Sequence, residues 1–415
     1  MTSNSTATKF INENQLQWLI VFLCQLVFIG FVSSRALASV AMIGILLVVR
    51  LGISPAEIFK KYFRSKPLLA LSLFFWVVFL SGIYSADKTE WLNWVRIKLP
   101  YLALPIAFAG LMKIDQKKFI IILYSFILTF FVSTAIILWN YYSNYEVITE
   151  SFTRGSAISI PFSHIRYSLM LAFSFFCCLY LLSKKMYVFS AHEKWLQIFF
   201  AVFVSASLHV LTVRSGLMAL YLGIIFLAVR SIVKEKRIIA GIILIAIVVM
   251  LPFVAYRFVP SFHNKINYMK YDLQQYETTG MSEYSDAMRL LSMKVGIGVW
   301  KESKLLGVGA GDLKKECDKV YASKYPFVSA FNQRLPHNQF VWVLATTGVV
   351  GLAAFILAFL FPFFTNGIFK QWLVVVFHII VFSSFFTEST IEEQIGTGFY
   401  ILFLLLLMNY FTADE

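Results

Sequence analysis

Charged residues are scarce in this 415-residue chain. Asp, Glu, Lys and Arg make up 14% of it, against about 25% in soluble globular proteins. With 59% hydrophobic residues, the chain cannot be solvated on all sides, which excludes a cytosolic enzyme. Polar low-complexity tracts are lacking as well, and 43 Phe and 20 Tyr exclude a disordered chain. Cysteine is nearly absent. Of the four, Cys24, Cys177 and Cys178 lie in apolar runs and Cys317 stands alone in a polar segment. Neither a disulfide framework nor a paired-cysteine metal site can be built from them. Acidic residues number 22 against 36 basic ones, a net charge of +14. In a membrane protein that excess marks cytoplasmic loops before it marks nucleic-acid binding, so no nucleic-acid partner is expected. Residues 1–14 are polar and no small-residue cleavage site follows the first apolar run, so that run is expected to persist as a helix.

Apolar runs near 20 residues recur along the whole length, the signature of an all-α polytopic membrane protein. Runs bounded by charge or turn residues predict twelve spans: 18–33, 36–52, 67–84, 99–112, 119–139, 162–183, 195–213, 215–232, 238–256, 337–364, 372–386 and 395–411. The seventh and eighth must be separate, because one helix over 195–230 would run about 54 Å against a hydrocarbon core of roughly 30 Å. Arg214-Ser215-Gly216 is the available break. Lys and Arg follow the second, fourth, sixth, eighth and tenth spans, as in Lys60, Lys61, Arg64, Lys117, Lys184 and Lys236. By the positive-inside rule this places both termini in the cytoplasm.

The outer segment 257–336 is different, with twelve Lys/Arg and eight Asp/Glu in 80 residues. Structureless loops of that length are uncommon, and 284–304 reads as a helix. Met288, Leu291, Val295 and Val299 form an apolar stripe on it, and Ser285 can cap its start. Gly307, Gly309 and Gly311 then end it. The expected organisation is therefore 1–256 with nine spans, an ordered outer loop domain over 257–336, and 337–415 with three more spans.

Three basic groups fall on the outer face at similar depth: Arg214 at a hairpin tip, Arg289 beside the loop helix, and His337 after Pro336. Together they predict an anionic ligand, since Arg makes bidentate phosphate contacts and keeps its charge in a low-dielectric site. The positive end of a helix dipole disfavours an imidazolium at His337, and a neutral ring is a usable general base. Gly309 and Gly311 are candidates for an anion nest. His164 and Arg166 are further candidates, because intramembrane charge is costly. Glu388, Glu392 and Glu393 cluster without an accompanying Asp-x-Asp, so an orienting or packing role is expected of them and no metal or other cofactor.

RSGLMALYLG (214–223), RLLSMKVGIGVWKESKLLGVGAGD (289–312) and PHNQFVWVLATTGVVGL (336–352) resemble, in order and spacing, the O-antigen ligase/polymerase superfamily. The last segment is the most specific, with His337-Asn338 followed by an apolar helix bearing Thr347-Gly348 and Gly351. ESTIEEQIGTGFY (388–400) is similar to the family's closing span. The resemblance implies a GT-C-type glycosyltransferase of the bacterial inner membrane, acting without a metal at the periplasmic face on glycan carried by undecaprenyl diphosphate. It maps the family's functional arginines onto Arg214 and Arg289 and its functional histidine onto His337. Lipid A–core is the acceptor expected for a ligase, in a setting of membrane lipid. The polymerase and the protein O-oligosaccharyltransferase are the alternatives. An anionic-lipid transporter is disfavoured because the two halves show no repeated hydropathy.

Overall fold

The structure is a computed structural model that describes residues 12–153, 158–279 and 285–412. Within them the chain is helical: α1 (Glu13–Ser33), α2 (Arg35–Gly52), α3 (Pro55–Arg64), α4 (Lys66–Leu80), α5 (Lys88–Lys98), α6 (Pro100–Gly110), α7 (Gln116–Ser143), α8 (Tyr145–Thr153) and α9 (His164–Ser183). There follow α10 (Glu193–Leu211), α11 (Arg214–Val233), α12 (Ile238–Phe258), α13 (Pro260–Thr279), α14 (Ser285–Glu302), α15 (Leu313–Lys324), α16 (Gln339–Phe364), α17 (Trp372–Ser384) and α18 (Gln394–Phe411). Among the described residues, ten helices are long and apolar enough to cross a membrane. Each of the twelve expected spans contains a helix, but two are short. The spans at 99–112 and 372–386 form α6 and α17, of 11 and 13 residues. At 1.5 Å per residue these measure about 17 and 20 Å, less than the roughly 30 Å hydrocarbon core.

Between helices in lipid, close packing replaces the hydrophobic drive. The chain supplies it with aromatics. Phe28, Phe126 and Phe173 surround Phe403 of α18 with ring centroids 5.3, 4.6 and 5.0 Å away. Accordingly α9 and α18 sit deepest in the bundle, whereas α12 is apolar all round, mostly exposed, and forms its rim.

The outer segment carries α13, α14 and α15. The stripe Met288, Leu291, Val295 and Val299 is buried as its spacing requires. Cys317, expected in polar surroundings, is buried with it in the core that α14 and α15 share. Ser285 is the first residue of α14, and the cap it was expected to make lies outside the described residues.

The glycine segment that follows docks twice. On one side Ala310 and Gly311 donate amides to Ser81 Oγ and Ser85 Oγ, both at 3.2 Å. On the other it meets a break in α16, where Gly348 adopts φ 65° and ψ −163°. The Val308 and Gly309 amides donate to Ala345 and Thr346 carbonyls at 3.0 and 2.8 Å, and the Val349 amide donates back to Lys304 at 3.0 Å. Backbone groups freed by the break are thus satisfied inside the protein, the condition for irregular backbone at membrane depth. A Cβ at Gly348 would lie 2.1 Å from the Leu305 carbonyl oxygen, so only glycine fits.

Candidate active site

The chain reverses between α10 and α11 at Thr212, which takes the left-handed conformation (φ 54°, ψ 29°), followed by extended Val213. The break lies just before the expected Arg214-Ser215-Gly216, and those three residues instead begin α11. Gly216 serves close packing: a Cβ there would sit 2.4 Å from Ser168 Cβ of α9. Positive φ on a β-branched residue is an outlier, and here it turns Arg214 into the first residue of a helix.

Arg214, Arg289 and His337 meet at one cavity of about 590 Å³, with His164, Lys265 and Thr387 also on its wall. Among the described residues, no Asp or Glu lines it. His164 and Arg214 open α9 and α11, and His337 stands two residues ahead of α16. Three helix N-termini therefore surround a cavity that also holds Arg and Lys, and their amide dipoles add to the positive potential.

His337 is fixed from two sides. Its amide donates to Ser292 Oγ at 3.1 Å, and that hydroxyl donates to the Arg289 carbonyl at 2.7 Å. One serine of α14 thus ties the arginine and the histidine together. On the ring, Nδ1 lies 3.1 Å from Glu388 Oε2. A carboxylate at Nδ1 holds the proton there and leaves Nε2 as the accepting nitrogen. Burial alone would raise the Glu388 carboxyl. The His337 hydrogen bond and charge, Arg166 and the Ser389 amide outweigh burial and bring it down to about 2.

The segment carrying Glu388 is itself clamped. Arg166 donates to the Thr390 and Ser389 carbonyls at 2.9 Å each and pairs with Glu393 at 3.0 Å. Lys98 is wholly buried; its ammonium lies 2.8 Å from Glu392 and donates to the Ile391 carbonyl at 2.6 Å. It also lies 4.6 Å from the centre of the Phe74 ring. Burial pushes Lys98 down and Glu392 up, with their mutual attraction opposing both. Glu388, Glu392 and Glu393 thus serve His337, Lys98 and Arg166 in turn.

The remaining candidates lie elsewhere. Arg166 is buried against the 389–393 segment, outside the cavity wall. Asn338 caps α16, accepting from the Phe340 and Val341 amides at 3.0 and 3.1 Å. The Gly309 and Gly311 amides are engaged by Thr346 and Ser85, and neither residue lines the cavity.

Residues 199–356 match the family model described as O-Antigen ligase. That segment, under half of the chain, is similar to the O-antigen ligase family. No curated protein matches the chain. The matched segment runs from α10 into α16 and contains Arg214, Lys265, Arg289 and His337, while His164, Arg166 and Glu388 lie outside it. With ten helices among the described residues long and apolar enough to cross a membrane, the chain is a multi-pass membrane protein, and its 199–356 segment resembles the O-antigen ligase/polymerase type.

Sequence reasoning passed over Lys265, because α13 reads as a polar stretch with no apolar stripe to mark its inner face. The pairing of Glu388 with His337 spans 51 residues, and only the short distance from His337 to the end of α17 in space reveals it. Glu388→Gln is expected to lower turnover at least about 10²-fold with little change in KM, since a neutral amide cannot balance a protonated ring. The carboxyl's folded value lies below its unfolded one. Its stabilising contribution is therefore complete above about pH 4.5 and lost as pH falls towards about 2. Wild-type turnover should show no limb from Glu388 near neutrality, which a pH–rate profile checks.

Proposed function

We propose that the protein is an inverting, metal-independent ligase. It transfers a glycan from undecaprenyl diphosphate to a sugar hydroxyl of lipid A–core at the periplasmic face of the bacterial inner membrane. The observation that carries this reading is the cavity at which Arg214, Arg289 and His337 meet among three helix N-termini. A diphosphate is the anion that such a site suits. Arg214 and Arg289 hold it, with Lys265 as a third cation. His337 Nε2 takes the proton of the acceptor hydroxyl while the oxygen attacks the anomeric carbon. The bond from that carbon to the diphosphate oxygen breaks, and its electron pair leaves on the diphosphate, where the two arginines neutralise it. Attack opposite the leaving group inverts the anomeric centre, and no glycosyl-enzyme is needed.

The orientation is supported by the opposite end of the bundle. There Lys61, Arg64, Lys66 and Lys113 gather beside the C-terminal ends of α16 and α18, as a cytoplasmic face requires.

Arg214→Lys and Arg289→Lys should each lower kcat/KM about ten- to a hundredfold, because an ammonium cannot reproduce a bidentate fork on phosphate. Reconstituted protein with carrier-linked glycan and purified lipid A–core measures this. Full activity in both variants would instead assign the arginines to anchoring at lipid headgroups. Lipopolysaccharide from a deletion strain tests the acceptor: loss of all long chains from core fits the ligase, and core bearing a single repeat unit fits a polymerase.

A further inference from the structure

At the end of the bundle remote from the His337 cavity lies a second depression, of about 670 Å³, between the ends of α3, α4, α6, α16 and α18. Its rim carries Lys61, Arg64, Lys66 and Lys113, and among the described residues no Asp or Glu lines it. Its floor is apolar, with Phe108, Leu111, Phe361 and Leu405. The cations come from two separate stretches of chain, 61–66 and the segment after α6, so the fold brings Lys113 to the other three. Glu57 approaches Lys61 at 3.6 Å, but both side chains are about half exposed, and such a pair is worth little. Cations above an apolar floor, in a cleft between membrane helices, match a molecule that is anionic at one end and hydrocarbon at the other.

We propose that this depression binds an anionic phospholipid, its phosphate among Lys61, Arg64, Lys66 and Lys113 and an acyl chain along Phe108 and Phe361. Free phosphate shares the headgroup chemistry but would leave the apolar floor uncovered. The site does not depend on which reaction the His337 cavity performs. It does sit at the foot of α16, whose 26 residues place it about 39 Å along the helix from the catalytic end. A lipid bound here would brace α16 and α18 at the ends opposite those that carry the catalytic segments.

The test is native mass spectrometry of the full-length protein in detergent, titrated separately with dioleoylphosphatidylglycerol, dioleoylphosphatidylcholine and inorganic phosphate. Phosphatidylglycerol should bind at least about tenfold more tightly than phosphatidylcholine, each basic side chain near a headgroup adding roughly that much. Arg64→Gln/Lys113→Gln should lose that preference about tenfold or more. Lys184→Gln/Lys185→Gln, which removes the same charge from another loop of this face, should keep it. Equal binding of the two lipids by the wild type would overturn the proposal. So would equal losses in the two double variants, which means diffuse charge, or occupancy by inorganic phosphate as tight as by phosphatidylglycerol, which means a bare anion site.

Discussion

His337→Ala is expected to reduce glycan transfer about 10²–10⁴-fold while leaving donor binding within a few-fold of wild type. The acceptor hydroxyl is a weak acid and needs a base as it attacks, whereas the diphosphate departs as a stable anion and needs only cations. In the proposed mechanism, truncating the ring removes the base and leaves Arg214, Arg289 and Lys265 on the cavity wall. The main chain should hold, since the His337 amide keeps its bond to Ser292 Oγ, and Glu388 keeps Arg166 and the Ser389 amide near it. Donor binding measured apart from turnover, with the anomeric configuration of the wild-type product, decides the matter. A parallel loss of donor binding would make His337 a phosphate ligand, and retained configuration would remove the single-displacement scheme altogether.

The largest expected effect on stability comes from Lys98→Met. Removing one partner of a fully buried pair leaves the other charge uncompensated, at a cost of about 3–5 kcal/mol. Glu392 would lose the ammonium 2.8 Å away and keep the Gln339 amide and the more distant charge of Arg166. The Ile391 carbonyl would lose one donor as well, keeping Thr397 Oγ1. Lys98→Met/Glu392→Leu should recover most of the loss, because an apolar pair needs no ionic partner. Thermal unfolding in detergent reads both. A single variant as stable as the double would show that the pair carries no coupling energy. Activity should fall in the single variant beyond what stability explains, since the same segment positions Glu388 against His337.

The membrane-spanning core was legible because composition and run length report burial in lipid directly, and the stripe on α14 because a period of 3.6 is local. The short α6 and α17 read as full spans for the same reason. Hydropathy counts apolar residues and does not register that Leu111 takes extended backbone after α6 or that α17 stops at Phe385. Arg214, Arg289 and His337 could be grouped because topology alone puts them on one side. What stayed hidden depends on distant pairing. Glu388 becomes His337's partner only through a loop held by Arg166 and Lys98, and Thr212 turns the chain without glycine or proline to announce it.

The break at Gly348 has a consequence for aim. Along an unbroken helix each residue advances the side-chain direction by about 100°, so the membrane-packed half of α16 would dictate the azimuth of every residue before it. The glycine uncouples the two phases. Beyond it, Phe355, Ala358 and Phe359 are turned into the bundle. Before it, Trp342 and Gln339 are turned towards Lys98 and Glu392, which fixes the bearing of His337 at the tip. Because main-chain bonds from 304–309 close the joint, the two headings are set separately and then frozen. A one-residue insertion between Gly348 and Phe364 would rotate the buried face and spare the catalytic bearing, whereas one between Asn338 and Thr347 would do the reverse.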